Sequence, residues 1–104
     1  MFWSIDTFQY SPSMLSYFEQ TLDQFSNQLK SADDKEANHI LIKRGICNLT
    51  LGIAKKCFKL LQAALNDFHT ILNSTLITID QKLTANENIR IVKIACSIIN
   101  NSRR

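Results

Sequence analysis

The stretch 46–72 is the longest run of periodic apolar residues in this chain, and it limits the folds that the chain can adopt. Its apolar side chains recur at intervals that average about 3.6 residues, the period of an α-helix. A second apolar stripe runs beside the first, and together they cover roughly 200° of a helical wheel. The stretch therefore predicts a helix at about 47–73 that needs more than one neighbour.

Composition favours a single all-α domain over residues 1–104. With two glycines and one proline, the chain contains few residues that break helices. Apolar residues make up 45% of the chain, which is enough for a packed core, and the length fits one domain. We therefore predict an antiparallel bundle of about four helices around a central apolar helix, at about 12–30, 34–44, 47–73 and 84–101.

Three short motifs mark predicted helix starts. Ser11 followed by Pro12 is typical of a helix N-terminus, because serine accepts hydrogen bonds from free amides and proline needs no N–H at the first position. A capping box is a second signal, in which a residue before the helix and a glutamate three positions later satisfy each other's backbone N–H groups. We use this spacing to predict two helix starts, at Asp33 with Glu36 and at Thr84 with Glu87.

Gly45 is the predicted boundary between the second and third helices. It follows two basic residues, and a glycine after cations is typical of a helix C-terminus. The two apolar stripes of 46–72 leave a polar strip on the rest of the helical wheel. If 34–73 were one straight helix, residues 37 and 41 would point toward this polar strip and not toward the apolar stripes. We therefore predict a turn at Gly45, and one bent helix over 34–73 is the alternative.

Charge, cysteine content and the N-terminal sequence indicate a cytoplasmic protein. The balance of 12 Lys and Arg against 9 Asp and Glu is too mild to indicate a nucleic-acid binder from composition alone. Cys47, Cys57 and Cys96 form no CxxC motif, so we expect buried thiols in a reducing compartment. Residues 1–10 lack the basic and apolar regions of a secretory signal, and no run of 18 apolar residues could span a membrane.

The chain carries no pattern typical of a catalytic or metal site. His39 and His69 are its only histidines, and neither has further ligands at the spacing of a metal site. A phosphate-binding loop, which requires several glycines, is absent, and so is the GxSxG motif of serine hydrolases. We therefore predict a non-enzymatic protein that requires no cofactor and no metal.

Excess apolar surface favours a protein-interaction module that self-associates, for example as a homodimer. Residues 1–10 contain five large apolar side chains, too many for a solvated tail, so we expect them to pack on the bundle or to dock a partner. Peripheral membrane contact through this segment and the basic C-terminus is a third interpretation. The candidate partner-binding residues are Phe2, Trp3, Phe8 and Tyr10, together with Leu51, Phe58, Leu61, Leu65 and Leu72 of the second stripe.

DNA binding is the alternative function. The stretch 45–56, GICNLTLGIAKK, resembles the beginning of the helix-turn-helix in tetracycline-repressor-type regulators, where a helix ends at glycine and a threonine-led helix with Ile-Ala follows. The resemblance implies a DNA-binding segment around 37–59, with Lys55, Lys56 and Lys59 as phosphate contacts. It covers about a dozen residues, and the pattern after Cys57 continues as a helix where that family has a turn.

In general plan, a small basic helical bundle is also similar to bacteriocin-immunity proteins, secretion chaperones and antitoxins. These classes share one mechanism, in which a rigid bundle presents an apolar surface to a protein partner. The resemblance rests on size and helix content, and it implies partner binding without identifying the partner.

Overall fold

Four α-helices make up the protein in the computed structural model, which describes residues 11–102. They are α1 (Pro12–Leu29), α2 (Asp34–Lys55), α3 (Phe58–Leu72) and α4 (Ile79–Ser102). The described residues contain no strand, and the helices pack as a bundle. The prediction of an all-α bundle of four helices is therefore confirmed.

Helix α2 is the centre of the bundle, because it packs against each of the other three helices. The backbone of α1 approaches only that of α2 within the described residues, as expected for a helix with one narrow apolar seam. No side chain of α1 is fully buried. The core therefore comes from the other three helices, and it consists of Leu41, Leu49, Ile53, Leu61, Ala64, Phe68, Ile71, Ala85, Ile89, Val92, Ala95 and Ile99.

The predicted turn at Gly45 is wrong, because α2 continues through this residue to Lys55. The chain turns at Lys56, which has the left-handed backbone angles φ 50° and ψ 47°. The Lys56 N–H donates to the carbonyl of Ile53 at 3.2 Å, and the Cys57 N–H donates to that of Gly52 at 2.9 Å. These are the two hydrogen bonds of a Schellman motif. The helix predicted at 47–73 is therefore two antiparallel helices that face each other.

Small and polar residues explain why apolar periodicity missed this arrangement. The face of α2 toward α3 includes two asparagines and two glycines, all of them buried. A pattern analysis counts such residues as a polar strip, although here they allow close packing and make hydrogen bonds between helices. In sequence order, the buried residues of this face are Asn38, Leu41, Gly45, Asn48 and Gly52.

The two glycines bring α2 close to α3. A Cβ atom at Gly45 would lie 2.8 Å from ring carbons of Phe68, and one at Gly52 would lie 2.7 Å from Cδ2 of Leu61. Both distances are shorter than carbon atoms tolerate, so a larger residue requires the helices to separate. Gly45 therefore serves helix packing and does not end a helix.

The start of α4 also differs from the prediction. Two capping-box patterns stand six residues apart, and the structure uses the earlier one, with Thr78 before the helix and Gln81 in its first turn. The Gln81 N–H donates to Thr78 Oγ1 and the Thr78 N–H donates to Gln81 Oε1, each at 3.1 Å. The predicted capping box at Thr84 lies inside α4. The Thr84 carbonyl accepts a hydrogen bond there from the side-chain amide of Asn88. The other two predicted starts are confirmed, at Ser11 and Asp33.

Replacing Thr78 by alanine tests which box begins the helix. We expect Thr78→Ala to lower the free energy of unfolding by about 1 kcal/mol, because it removes the side chain that accepts a bond from the first turn. The matched variant Thr84→Ala should change it by less than about 0.5 kcal/mol, because this threonine caps nothing. Urea denaturation measures both, and a larger loss from Thr84→Ala would contradict the assignment.

Candidate protein-interaction surfaces

A polar cluster at the junction of α1, α2 and α3 orients these helices. Arg44 of α2 and Asp67 of α3 form a two-point ion pair, with Nη2 donating to Oδ1 at 2.7 Å and Nε donating to Oδ2 at 3.0 Å. Arg44 also donates to Ser26 Oγ of α1 at 3.3 Å, and Asn48 donates to Asp67 at 3.5 Å. Hydrogen bonding to Asp67 raises the pKa of Arg44, although partial burial acts in the opposite direction.

The polar groups of this cluster form their hydrogen bonds with one another. Among the described residues, no buried side-chain nitrogen or oxygen lacks a hydrogen-bond partner. A binding site needs polar groups that point at a ligand instead of at each other. The cluster therefore stabilises the arrangement of the helices, and candidate binding surfaces lie elsewhere.

An apolar groove runs between α1 and α2. It has a volume of about 250 Å³. Tyr17 and Ile46 stand at its rim and are 65% and 40% exposed. The groove is open because, among the described residues, α1 packs against α2 only, so that its apolar seam remains partly exposed. Its lining consists of Tyr17, Phe18, Thr21 and Phe25 from α1 and of Lys43, Ile46, Cys47 and Thr50 from α2.

A second apolar surface lies on the outside of α4. Ile79, Leu83 and Ile94 of this helix are 79%, 64% and 47% exposed. They face away from the buried side of the helix, which contains Ala85, Val92 and Ala95. The predicted helix start at Thr84 placed Ile79 and Leu83 before the last helix, so the sequence pattern did not indicate this surface.

The structure corrects part of the predicted partner-binding set. Leu51 and Leu61 are 1% and 0% exposed, so both belong to the interior and neither can contact a partner. Phe58, Leu65 and Leu72 are half-buried and pack against the core. Helices α2 and α3 cover each other's apolar residues once the chain turns at Lys56. The remaining candidates, Phe2, Trp3, Phe8 and Tyr10, lie outside the described residues.

The three lysines of the DNA-binding alternative lie near the turn between α2 and α3, and all three are exposed. Lys55 forms an ion pair with Glu19 of α1, so its charge is partly balanced within the chain. Lys56 occupies the turn, and Lys59 lies in the first turn of α3. The helix break at Gly45, on which the resemblance to a helix-turn-helix depends, is absent.

No protein-family model, no curated protein and no solved structure matches this chain. Within residues 11–102, no group of three His, Cys, Asp or Glu side chains is placed to hold a metal ion. No helix in this part of the chain is both long and apolar enough to cross a membrane.

The three cysteines are free thiols in different environments. Cys47 is buried, and its thiol donates to the Phe18 carbonyl at 3.3 Å. Burial raises the pKa of the Cys47 thiol to about 11 and also raises the pKa of Cys96. Cys57 is half exposed and lies immediately before α3, where its side chain makes no capping hydrogen bond.

We expect Cys47 to be the slowest thiol to react. The thiolate is the reacting species, and a pKa raised from 9.0 to about 11 reduces its fraction at pH 8 by about a hundred-fold. Reaction with a chromogenic disulfide, measured on variants that each retain one cysteine, should rank Cys57 first and Cys47 last. Addition of denaturant should make the three rates similar. A fast reaction of Cys47 in the folded protein would contradict its placement.

Proposed function

We propose that this protein is a small, non-enzymatic helical module that binds a protein partner and also self-associates. The observation that carries the proposal is the open apolar groove between α1 and α2. Large apolar side chains at an exposed surface are costly to solvate, and clusters of them commonly mark sites of protein association. The apolar lining of the groove favours an apolar side chain of a partner, placed between the two helices.

The charge beside the groove indicates which kind of partner segment would bind there. Among the described lining residues, Lys43 carries the only formal charge, and it is exposed. A cation beside an apolar groove favours a partner segment that combines large apolar side chains with an acidic residue. An amphipathic helix with one acidic edge has this chemistry and would place one of its apolar side chains in the groove, beside the exposed ring of Tyr17.

Site-specific photo-crosslinking tests the groove. A photoreactive phenylalanine at position 17 should capture the partner, whereas the same group at Asp23, an exposed position about 120° away around α1, should not. The captured protein is identified by mass spectrometry, purified and titrated against the full chain by calorimetry. Equal crosslinking from both positions would contradict the proposal.

A matched pair of isoleucines supplies the quantitative test. Ile46 in the groove and Ile94 on α4 are 40% and 47% exposed, so replacement by glutamate should leave the fold intact in both. We expect Ile46→Glu to weaken partner binding by about ten-fold or more, because it places a charge in an apolar contact. Ile94→Glu should leave partner binding unchanged. Unchanged binding in Ile46→Glu would overturn the groove assignment.

The DNA-binding alternative has a separate test. If Lys55, Lys56 and Lys59 contact phosphates, affinity for a DNA duplex should fall steeply as the salt concentration rises. Replacing Lys59 by glutamate should weaken that affinity further. The absence of duplex binding at low salt would exclude this function and would leave the proposed protein-interaction module unaffected.

A further inference from the structure

The outer face of α4 has a pattern that is complementary to itself. Ile79, Leu83, Glu87, Arg90 and Ile94 follow one another at intervals of four, four, three and four residues, which places them on one side of the helix. At 1.5 Å per residue, this face is about 22 Å long. All five side chains are exposed.

The two charges on this face are unpaired in the described part of the chain. Glu87 and Arg90 are one turn apart, and neither lies within ion-pair distance of an oppositely charged group among residues 11–101. Each stands between exposed apolar residues, Leu83 on one side and Ile94 on the other. A partner that covers the apolar residues would also cover the charges, and it must therefore supply an opposite charge to each.

A second copy of the same helix meets this requirement in one orientation. The intervals from Leu83 to Glu87, Arg90 and Ile94 are four, three and four, so they read the same in both directions. When two such helices lie antiparallel, Leu83 of one copy faces Ile94 of the other, and Glu87 faces Arg90. A parallel pair in register would instead place Glu87 against Glu87 and Arg90 against Arg90, which is repulsive.

We propose that two copies of this protein associate through the outer faces of α4, antiparallel, about a two-fold axis that passes between Glu87 and Arg90. This inference rests on the self-association named in the proposed function and assigns a surface to it. Such an interface uses the same patch on both copies, which is the usual arrangement in a homodimer. One pair of helices buries less than the ~800 Å² per partner of a standard interface, so we expect micromolar affinity.

Charge reversal on the full chain tests the arrangement. Sedimentation velocity over a range of concentrations should show a monomer–dimer equilibrium for the natural sequence. Arg90→Glu and Glu87→Arg should each weaken dimerisation by about ten-fold or more, because each replaces two attractive pairs by two repulsive ones. The double variant Glu87→Arg/Arg90→Glu should recover most of the affinity, because the pairing is reciprocal. Circular dichroism verifies that each variant remains folded.

The apolar part of the interface has its own control. Ile94→Glu should abolish the dimer, whereas Ile46→Glu in the groove should leave it unchanged. Partner binding through the groove should respond to these two substitutions in the opposite way, so the two surfaces are tested independently.

Three outcomes would overturn the inference at different levels. If the natural sequence is monomeric at every concentration, the protein does not self-associate. If a dimer forms and neither Arg90→Glu nor Ile94→Glu weakens it, the protein self-associates through a surface other than the outer face of α4. A double variant as weak as the two single variants would exclude the antiparallel arrangement.

Discussion

Replacing Arg44 by methionine is expected to lower the free energy of unfolding by about 4 kcal/mol, because it leaves the buried carboxylate of Asp67 without its cation. The side chain of Asp67 is 7% exposed, so water cannot replace the lost guanidinium. Asn48 remains as a donor, but at 3.5 Å its bond to Asp67 is weak. Urea denaturation followed by circular dichroism measures the change.

Replacing Asp67, the acidic member of this ion pair, should lower the free energy of unfolding by less. Asp67→Leu is expected to lower the free energy of unfolding by about 3 kcal/mol, because the side chain of Arg44 is 26% exposed and can reach water. It also retains Ser26 as an acceptor. The double variant Arg44→Met/Asp67→Leu, which leaves neither charge unpaired, should lose less stability than either single variant. Additive losses in the double variant would contradict a direct coupling of the two side chains.

Replacing Gly52 by valine is expected to lower the free energy of unfolding by about 3 kcal/mol. The new Cβ would lie 2.7 Å from Leu61 Cδ2 and 3.1 Å from the Leu61 backbone nitrogen. Leu61 is fully buried and lies in the first turn of α3, so the contact with its backbone nitrogen cannot be relieved without displacing the helix. The steric cost exceeds the gain in helix propensity, which is below ~1 kcal/mol.

Two substitutions on α2 are matched controls. Ala54→Val adds a β-branched side chain two residues away at a half-buried position, and it should cost less than about 1 kcal/mol. Gly45→Ala should cost less than Gly52→Ala, because the three atoms nearest to the new Cβ all belong to the side-chain ring of Phe68, whereas at Gly52 one of them is a backbone nitrogen. If Gly52→Val were no more harmful than Ala54→Val, the close approach of α2 and α3 would be excluded.

Local chemistry made the helix class and two of the helix starts predictable. Ser11 with Pro12 and Asp33 with Glu36 act through neighbours in sequence, and the structure shows Ser11 and Asp33 accepting the expected amides. Apolar residues recur at intervals of three and four along α1 and form one narrow seam, which favours a single neighbour, and the backbone of α1 approaches only α2 in the described part of the chain. A helix cap and a single seam depend on residues within a few turns, so no tertiary contact is needed to predict them.

The candidate surfaces were less predictable, because exposure depends on which helix covers which residue. The apolar stripe of 46–72 was a correct sign of burial, but Leu51 and Leu61 are buried inside the protein and are not available to a partner. The outer face of α4 escaped detection because Thr84 and Thr78 both begin a capping-box pattern, and local sequence does not choose between them.

The sequence by itself determined that this protein is a helical bundle with defined starts for α1 and α2, because periodicity and capping act over a few residues. Only the tertiary structure decided that the chain turns at Lys56, that Gly45 and Gly52 lie inside a helix, and that α4 begins after Thr78. The physical reason is that glycine and asparagine on α2 become core residues only when α3 packs against them. A pattern of hydrophobicity contains no information about such a contact until the neighbouring helix is in place.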